Sequence, residues 1–409
     1  TVVNGATVTS TGGTQLYNDS VSLGAGVNFT GTTVTFNEPV AGNNNSLDVT
    51  GAGVFGNAAA DTVSGVTTLH VTGATTINAG TVTSSGAQTY DTTLAIGSDV
   101  TLNAVGVTVT GALTRTGGAR ALTVNAGSGV ATFSTTIGAV GTELGALLVN
   151  SGGVTTLGGA VNAASVTTDA AGTTSLGASV TTTGGLQTYN DNVMLTADVV
   201  LLGSTVSFGG TVNGTTAGTE ALTITGNASF ANTVGTAVLP LEFVSVSGAS
   251  ALNGGSVTTA AAQTYTGAVV LGANTTLTGV GIGFGSTVDT GIPVRSLTVA
   301  GTGGTVTFTG AIGSGVNGAI GALSVTSGSA KTFTGTVNAA SVTSLGAGTT
   351  AVNGGSVTTS GAQSYAAGVT IGANTTFTST GTGNITFDTT LDGAFTLAVN
   401  TGGITTFTG

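Results

Sequence analysis

Short runs of alternating apolar and polar residues fill the chain from end to end. Val21-Ser22-Leu23, Val34-Thr35-Phe36, Leu222-Thr223-Ile224 and Val306-Thr307-Phe308 are representative. A period of two puts apolar side chains on one side of a strand and Thr, Ser or Asn on the other. Gly, Asn and Asp punctuate these runs, as in Asn253-Gly254-Gly255-Ser256 and Asn353-Gly354-Gly355-Ser356. Such residues tolerate positive φ and permit tight corners. The pattern predicts many short strands joined by corners. Helix formers such as Lys, Glu, Gln, Arg and Met are nearly absent.

The alternation is organised into a longer repeat. All five glutamines and all five tyrosines fall in one motif: Gln15-Leu16-Tyr17, Gln88-Thr89-Tyr90, Gln187-Thr188-Tyr189, Gln263-Thr264-Tyr265 and Gln363-Ser364-Tyr365. Four residues after each Tyr stands an aliphatic (Val21, Leu94, Val193, Val269, Val369), and six after stands another (Leu23, Ile96, Leu195, Leu271, Ile371). Seven after is Gly24, Gly97, Gly272 or Gly372, with Thr196 the exception. The Tyr-to-Tyr spacings are 73, 99, 76 and 100 residues, so short and long cassettes alternate. Three strand pairs give a finer ruler. Leu47 to Leu69 is 22 residues, Leu122 to Leu147 is 25, and Leu297 to Leu323 is 26. The extra length of a long cassette matches one such unit. Coils of about 22–26 residues are therefore expected, three in a short cassette and four in a long one.

A coil of this length cannot bury its apolar side alone, but stacked coils bury it in a continuous core. The predicted fold is all-β: a right-handed parallel β-solenoid running as one segment over 1–409, with cassettes starting near 15, 88, 187, 263 and 363. About sixteen coils at the strand spacing give a rod on the order of 80 Å long, and one short plus one long cassette, near seven coils, gives an axial repeat of roughly 34 Å. Tandem β-sandwiches fit the cassette lengths but do not gain length in coil-sized blocks, and no Trp or disulfide pins a sandwich core. An outer-membrane barrel lacks its aromatic girdles.

Composition narrows the chemistry. Glycine supplies 72 of 409 residues, cysteine and tryptophan none, and four basic residues face fifteen acidic ones for a net charge of -11. Disulfides, thiolate metal sites and cysteine nucleophiles are excluded. His70 alone cannot build a multi-histidine site. So few cations give no phosphate-binding surface, and anionic lipid would repel the chain. No apolar run reaches the length of a membrane-spanning helix. Neither nucleic acid nor membrane insertion is expected. Thr1 opens mid-pattern, without an initiator Met or signal, which reads as a processed chain or a segment of a longer repeat array.

Each candidate motif has a bland reading. Gln-x-Tyr is read as a corner device, with the Gln amide bonding backbone and the Tyr ring packing with its hydroxyl at the surface. Asp19, Asp91 and Asp191 suggest calcium, but Gly267 and Ala367 take the place in later copies, so turn capping is preferred. Gly51-Ala52-Gly53-Val54-Phe55-Gly56 matches a dinucleotide string, yet no helix follows. Glu38, Glu143, Glu220 and Glu242 are isolated and form no glycosidase pair. Thr7-Val8-Thr9, Thr33-Val34-Thr35, Thr81-Val82-Thr83 and Thr108-Val109-Thr110 suggest an ice-binding ladder at one, two and one coils. Asn274-Thr275-Thr276 and Asn374-Thr375-Thr376 are sequons of a kind that a Thr-rich chain generates freely. No catalytic, metal or cofactor site is read from the sequence.

The phrase Gln-Thr-Tyr, an aliphatic pair, Gly-Ala-Asn-Thr-Thr-Leu-Thr-Gly and Leu-Thr-Val resembles the giant β-strand-repeat surface proteins of Gram-negative bacteria, of filamentous-haemagglutinin and autotransporter-adhesin type. The likeness covers the whole chain as repeat style and brings no catalytic residues. It implies secretion, a β-helical fold, a cell-surface or extracellular place, and a non-catalytic structural or adhesive role. End-to-end or lateral self-association into fibres is expected, with host-surface or biofilm components as further partners. The alternative is a module binding ice or glycan through Thr-rich faces.

Overall fold

The strand ladders of the structure, a computed structural model describing residues 1–409, join one turn of chain to the next in parallel, and an antiparallel bridge between Ala139 and Thr142 lies within a corner loop. There is no helix, and the chain winds about 20 turns as a β-solenoid. Two compact units are distinguished, residues 1–204 and 205–409.

In the first unit three columns of paired strands enclose the core. The first runs Gln15, Val34, Gly53, Thr75, Leu94, Leu113, and on through Ile137, Val161 and Val180. The second runs Val27, Leu47, Leu69, Gln88, Val107, Ala131, Thr155, Thr174 and Val193. The third runs Val40, Val63, Val82, Leu102, Val124, Val149, Thr168 and Tyr189. The chain visits them in the order first, third, second, as Gln15, Val21 and Val27 show. In the second unit one column runs Val244, Gln263, Ile282, Val306, Lys331, Thr350 and Val369. Another runs Thr275, Leu297, Leu323, Val342, Gln363, Ile385 and Thr405.

The turns are tighter than the sequence ruler suggested. Gln88 pairs with Val107, Thr155 with Thr174 and Thr350 with Val369, each nineteen residues on. Three strands of three or four residues and three bare corners need no more. The wider turns, such as Leu122 to Leu147, carry corner loops. The three pairs used as a ruler all lie on wide turns.

Alternation sends Val, Leu, Ile and Phe inward, and nearly all of these are fully buried. Full burial of each such side chain contributes about 1.5–3 kcal/mol relative to exposure. The aromatic rings form columns of their own. Tyr17, Phe36 and Phe55 stack at 5.3 and 5.6 Å. Tyr265, Phe284, Phe308 and Phe333 stack at 5.6, 4.6 and 5.3 Å. Tyr365, Phe387 and Phe407 stack at 5.1 and 5.2 Å. Successive tyrosines do not touch, as expected, but each of these three founds a stack with phenylalanines of later turns. Asparagines do the same on the outside, with Asn125 donating to Asn103 at 2.8 Å and Asn150 to Asn125 at 2.7 Å.

Candidate functional site

The five Gln-x-Tyr motifs form one repeated buried device. Gln and Tyr are two residues apart on a strand, so both point inward. In each copy Gln Nε2 donates to two backbone carbonyls. These are Val8 and Thr30 for Gln15, Val82 and Asn103 for Gln88, and Val180 and Leu202 for Gln187. For Gln263 they are Val257 and Thr278, and for Gln363 Val357 and Thr378. Leu102 pairs with Val82 and Asn103 with Thr83, so the two carbonyls that Gln88 reaches belong to adjacent turns at the same corner. The amide therefore ties two turns together at the corner preceding its strand. The Tyr hydroxyl donates to Gln Oε1 at 2.9–3.1 Å in all five copies. Only a primary amide offers two donors and an acceptor in one plane at this reach.

The expectation for Gln holds in form, and the expectation for the tyrosine hydroxyl does not. Tyr90, Tyr189, Tyr265 and Tyr365 are fully buried, hydroxyl included. Burial costs little here because the Gln oxygen two residues back accepts the proton. Burial pushes all four phenols far above their ordinary range, and the half-buried Tyr17 also shifts upward.

The device moves around the solenoid. Four turns up the first column from Gln15 lead to Leu94, six residues past Gln88. Five turns up the second column from Gln88 lead to Val193, six past Gln187. In the second unit, five turns from Gln263 lead to Val369, six past Gln363. Six residues is one strand and its corner. These cassettes therefore span three and two-thirds, four and two-thirds, and four and two-thirds turns, and each motif appears one face earlier than the last. Gln15, Gln88 and Gln187 occupy three different columns. The expected three or four whole coils are thus corrected, while the one-turn difference between long and short cassettes holds.

The same rotation breaks the Thr ladder drawn from sequence. Val8 and Val109 lie in the second column, Val34 in the first and Val82 in the third. A real hydroxyl ladder exists elsewhere: Thr276, Thr298, Ser324, Thr343, Ser364, Thr386 and Thr406 occupy seven consecutive turns of the second unit.

Gly at Tyr+7 has a steric cause. A Cβ on Gly24, Gly97, Gly272 or Gly372 would lie 1.9–2.1 Å from Oδ1 of Asn4, Asn78, Asn253 or Asn353, one turn below. At the exception, Thr196, the residue one turn below is Gly177, so the bulk has changed sides.

The scattered ionisable groups fall in different settings. Asp191 is buried, accepts from the Thr168 and Thr174 hydroxyls, and is shifted upward chiefly by burial. Asp91 instead contacts His70 Nε2 at 2.8 Å, while Asp48 lies 3.9 Å from Nδ1. The two carboxylates address opposite ring nitrogens and do not converge on a point. Asp19 is exposed. Turn capping therefore describes none of the three well. It describes Asp99, Asn274 and Asn374, nine residues after Tyr, which accept N–H from Ala121, Ser296 and Thr396 of the next turn. Glu143 and Glu220 each take a backbone N–H within their own corner loop, from Gly141 and Thr216. Lys331, also missed, is buried on the Gln263 column, donates to the Leu345 and Gly348 carbonyls, and is shifted downward by burial.

One concave feature stands out on the first unit. Residues Val140, Glu143, Asn162, Thr181, Thr183 and Leu202 line a cleft of about 510 Å³. Arg115 buttresses the loop that carries Val140 and Glu143, donating to the Glu143 and Gly141 carbonyls.

No protein-family model, curated protein or solved structure matches this chain.

Proposed function

We propose that the chain is a structural or adhesive segment of an extracellular bacterial fibre, a non-catalytic solenoid that self-associates at the cell surface. One observation carries this reading: the repeated chemistry points inward and rotates from face to face. Gln and Tyr are spent on tying turns together, and what faces outward at the motif is Leu16, Thr89, Thr188, Thr264 or Ser364. A protein built to present one reactive constellation repeatedly would keep it on one side. The nearly uncharged Ser, Thr and Asn faces are suited to close lateral approach, because few charges need desolvation.

Electron microscopy of the native material tests the proposal. One short plus one long cassette makes eight and one-third turns between Gln15 and Gln187, so a fibre should show an axial repeat near 40 Å at about 4.8 Å per turn. This replaces the 34 Å expected from wider coils. Dispersed globular particles would overturn the fibre reading. The seven-turn hydroxyl ladder supports the second reading, ice or glycan binding on one face. Thermal hysteresis and glycan-array binding by the purified chain decide that alternative, and silence in both ends it.

A further inference from the structure

Resting on the self-association reading, we propose that copies of this chain dock laterally by inserting a rigid aliphatic knob of the second unit into the cleft of the first unit. The knob consists of two corner loops on successive turns, residues 291–295 and 313–319. Ile292 and Val316 are almost wholly exposed and Val294 is half exposed. Val316 and Ile292 are among the most exposed large apolar side chains of the chain, and contiguous exposed apolar groups mark contact sites.

The knob is built rather than loose. Asp289 Oδ1 accepts from Ser314 N at 3.0 Å and from Gly315 N at 2.7 Å. Asn317 Nδ2 donates to Thr290 O at 2.7 Å, and Gly321 N donates to Arg295 O at 2.7 Å. Thr290 Oγ1 accepts from Arg295 N at 2.8 Å. Gly313, at φ 67, turns the chain out of the column where any Cβ would lie 2.1 Å from Asn338 O. Little conformational freedom remains to be lost on docking, which favours binding.

The cleft offers the complement. Val140 and Leu202 give it exposed apolar walls, and Gly184, beside which a Cβ would meet nothing within 4 Å, leaves it open. Its volume of about 510 Å³ accepts several aliphatic side chains. Glu143 stands at the rim, its carboxyl held below the usual range chiefly by the Gly141 N–H. Arg295 closes the knob's first loop and is half-buried, with its Nε turned away from solvent. Acid at the cleft and a base at the knob favour this pairing over a generic apolar contact, and both partners lie on the same chain. A second copy is therefore the occupant. Because knob and cleft are different patches, the contact is heterologous and a docked pair keeps one free knob and one free cleft. The patch is small against the roughly 800 Å² per partner of a standard interface, so association should be weak and concentration-dependent.

Sedimentation velocity on the full chain over a wide concentration range tests this. A knob variant, Ile292→Asp with Val316→Asp, and a cleft variant, Val140→Asp with Leu202→Asp, change only exposed positions, so circular dichroism should match wild type. Wild type should grow in mass with concentration. Each variant alone should associate at least tenfold more weakly. Mixed 1:1, the two should form a dimer and go no further, because one intact knob and one intact cleft remain. Wild-type-like assembly by either variant overturns the knob and cleft while leaving the fibre reading standing. A wild type that stays monomeric throughout overturns lateral docking itself. Saccharide capture by the cleft in a monomeric chain would reassign it.

Discussion

Replacing Gln88 by Leu keeps the volume and removes the hydrogen-bonding fork. Gln88 is fully buried; its Nε2 lies 3.1 Å from Val82 O and 3.0 Å from Asn103 O, and its Oε1 takes the Tyr90 hydroxyl at 3.1 Å. The substitution leaves three buried polar atoms short of a partner. An unsatisfied buried group costs about 1–3 kcal/mol, and carbonyls, having a second lone pair, fall at the low end. The sum is about 3–5 kcal/mol. Tyr90→Phe alone orphans only Gln88 Oε1 and should cost about 1–1.5 kcal/mol. In the Gln88→Leu background the same change removes a stranded hydroxyl and should stabilise by about 1 kcal/mol or more. That sign inversion is the distinctive outcome of a double-mutant cycle.

Urea titration followed by circular dichroism and by fluorescence gives the cycle. Without tryptophan, intrinsic emission comes from the five tyrosines, each part of a Gln-x-Tyr device. Stacked turns can lose all-or-none unfolding, so coincidence of the two probes must be established before midpoints become free energies. If Gln88→Leu costs under about 1 kcal/mol, or if Tyr90→Phe destabilises equally in both backgrounds, the three bonds do not hold the turns together and the reasoning fails.

Four shorter predictions follow from the same geometry. The buried phenols are shifted up from 10.0, so their contribution to stability is whole below that pH and is lost as pH rises beyond it; absorbance at 295 nm should show their ionisation only together with loss of the β-sheet signal, and smooth titration of all five tyrosines in folded protein would contradict it. Gly97→Thr should destabilise by about 1–3 kcal/mol through the clash with Asn78, and adding Asn78→Gly should restore most of it, as at Gly177 and Thr196; urea midpoints decide, and an absent rescue rejects the steric account. Deleting residues 114–137, one full turn from Leu113 to Ile137, should preserve cooperative melting, whereas deleting 114–125 alone should abolish it because later strands lose their columns. Asp191, shifted up by burial, contributes stability that is whole below its unfolded value and lost as pH rises through its folded one; Asp191→Asn should therefore raise the thermal midpoint at pH 7, with the gain vanishing toward pH 4.

The parallel solenoid was legible because period two, tight corners and coil-sized length changes all favoured one architecture. The nineteen-residue turn was not, because Leu47-Leu69, Leu122-Leu147 and Leu297-Leu323 are among the turns with widened corners. The clue lay beside them: Leu69 pairs with Gln88, and this shorter interval joins residues of different type. Hydrophobic pattern matching cannot align a leucine with a glutamine. The tyrosine hydroxyl was misplaced for a related reason. Residue type alone argues for a wet hydroxyl, but spacing puts Gln and Tyr on one side of the strand, and an acceptor two residues away makes the dry position satisfactory. The Tyr-to-Phe stacks also left a trace, since Tyr17 and Phe36, and Tyr265 and Phe284, are each nineteen residues apart.

Rotation of the device from column to column says what the repeat preserves. A motif can change faces only if the three sides of the core are interchangeable, each accepting an inward Gln and an inward Tyr. The columns through Gln15, Gln88 and Gln187 meet that condition with different outward residues and different corner loops. What recurs is therefore an internal means of locking turns together, indifferent to direction. Individuality sits in the corners, where chain length varies without disturbing the ladders. In the docking proposed above, recognition falls to the exposed loops of Val140 and Val316, while the repeated chemistry of the scaffold stays hidden.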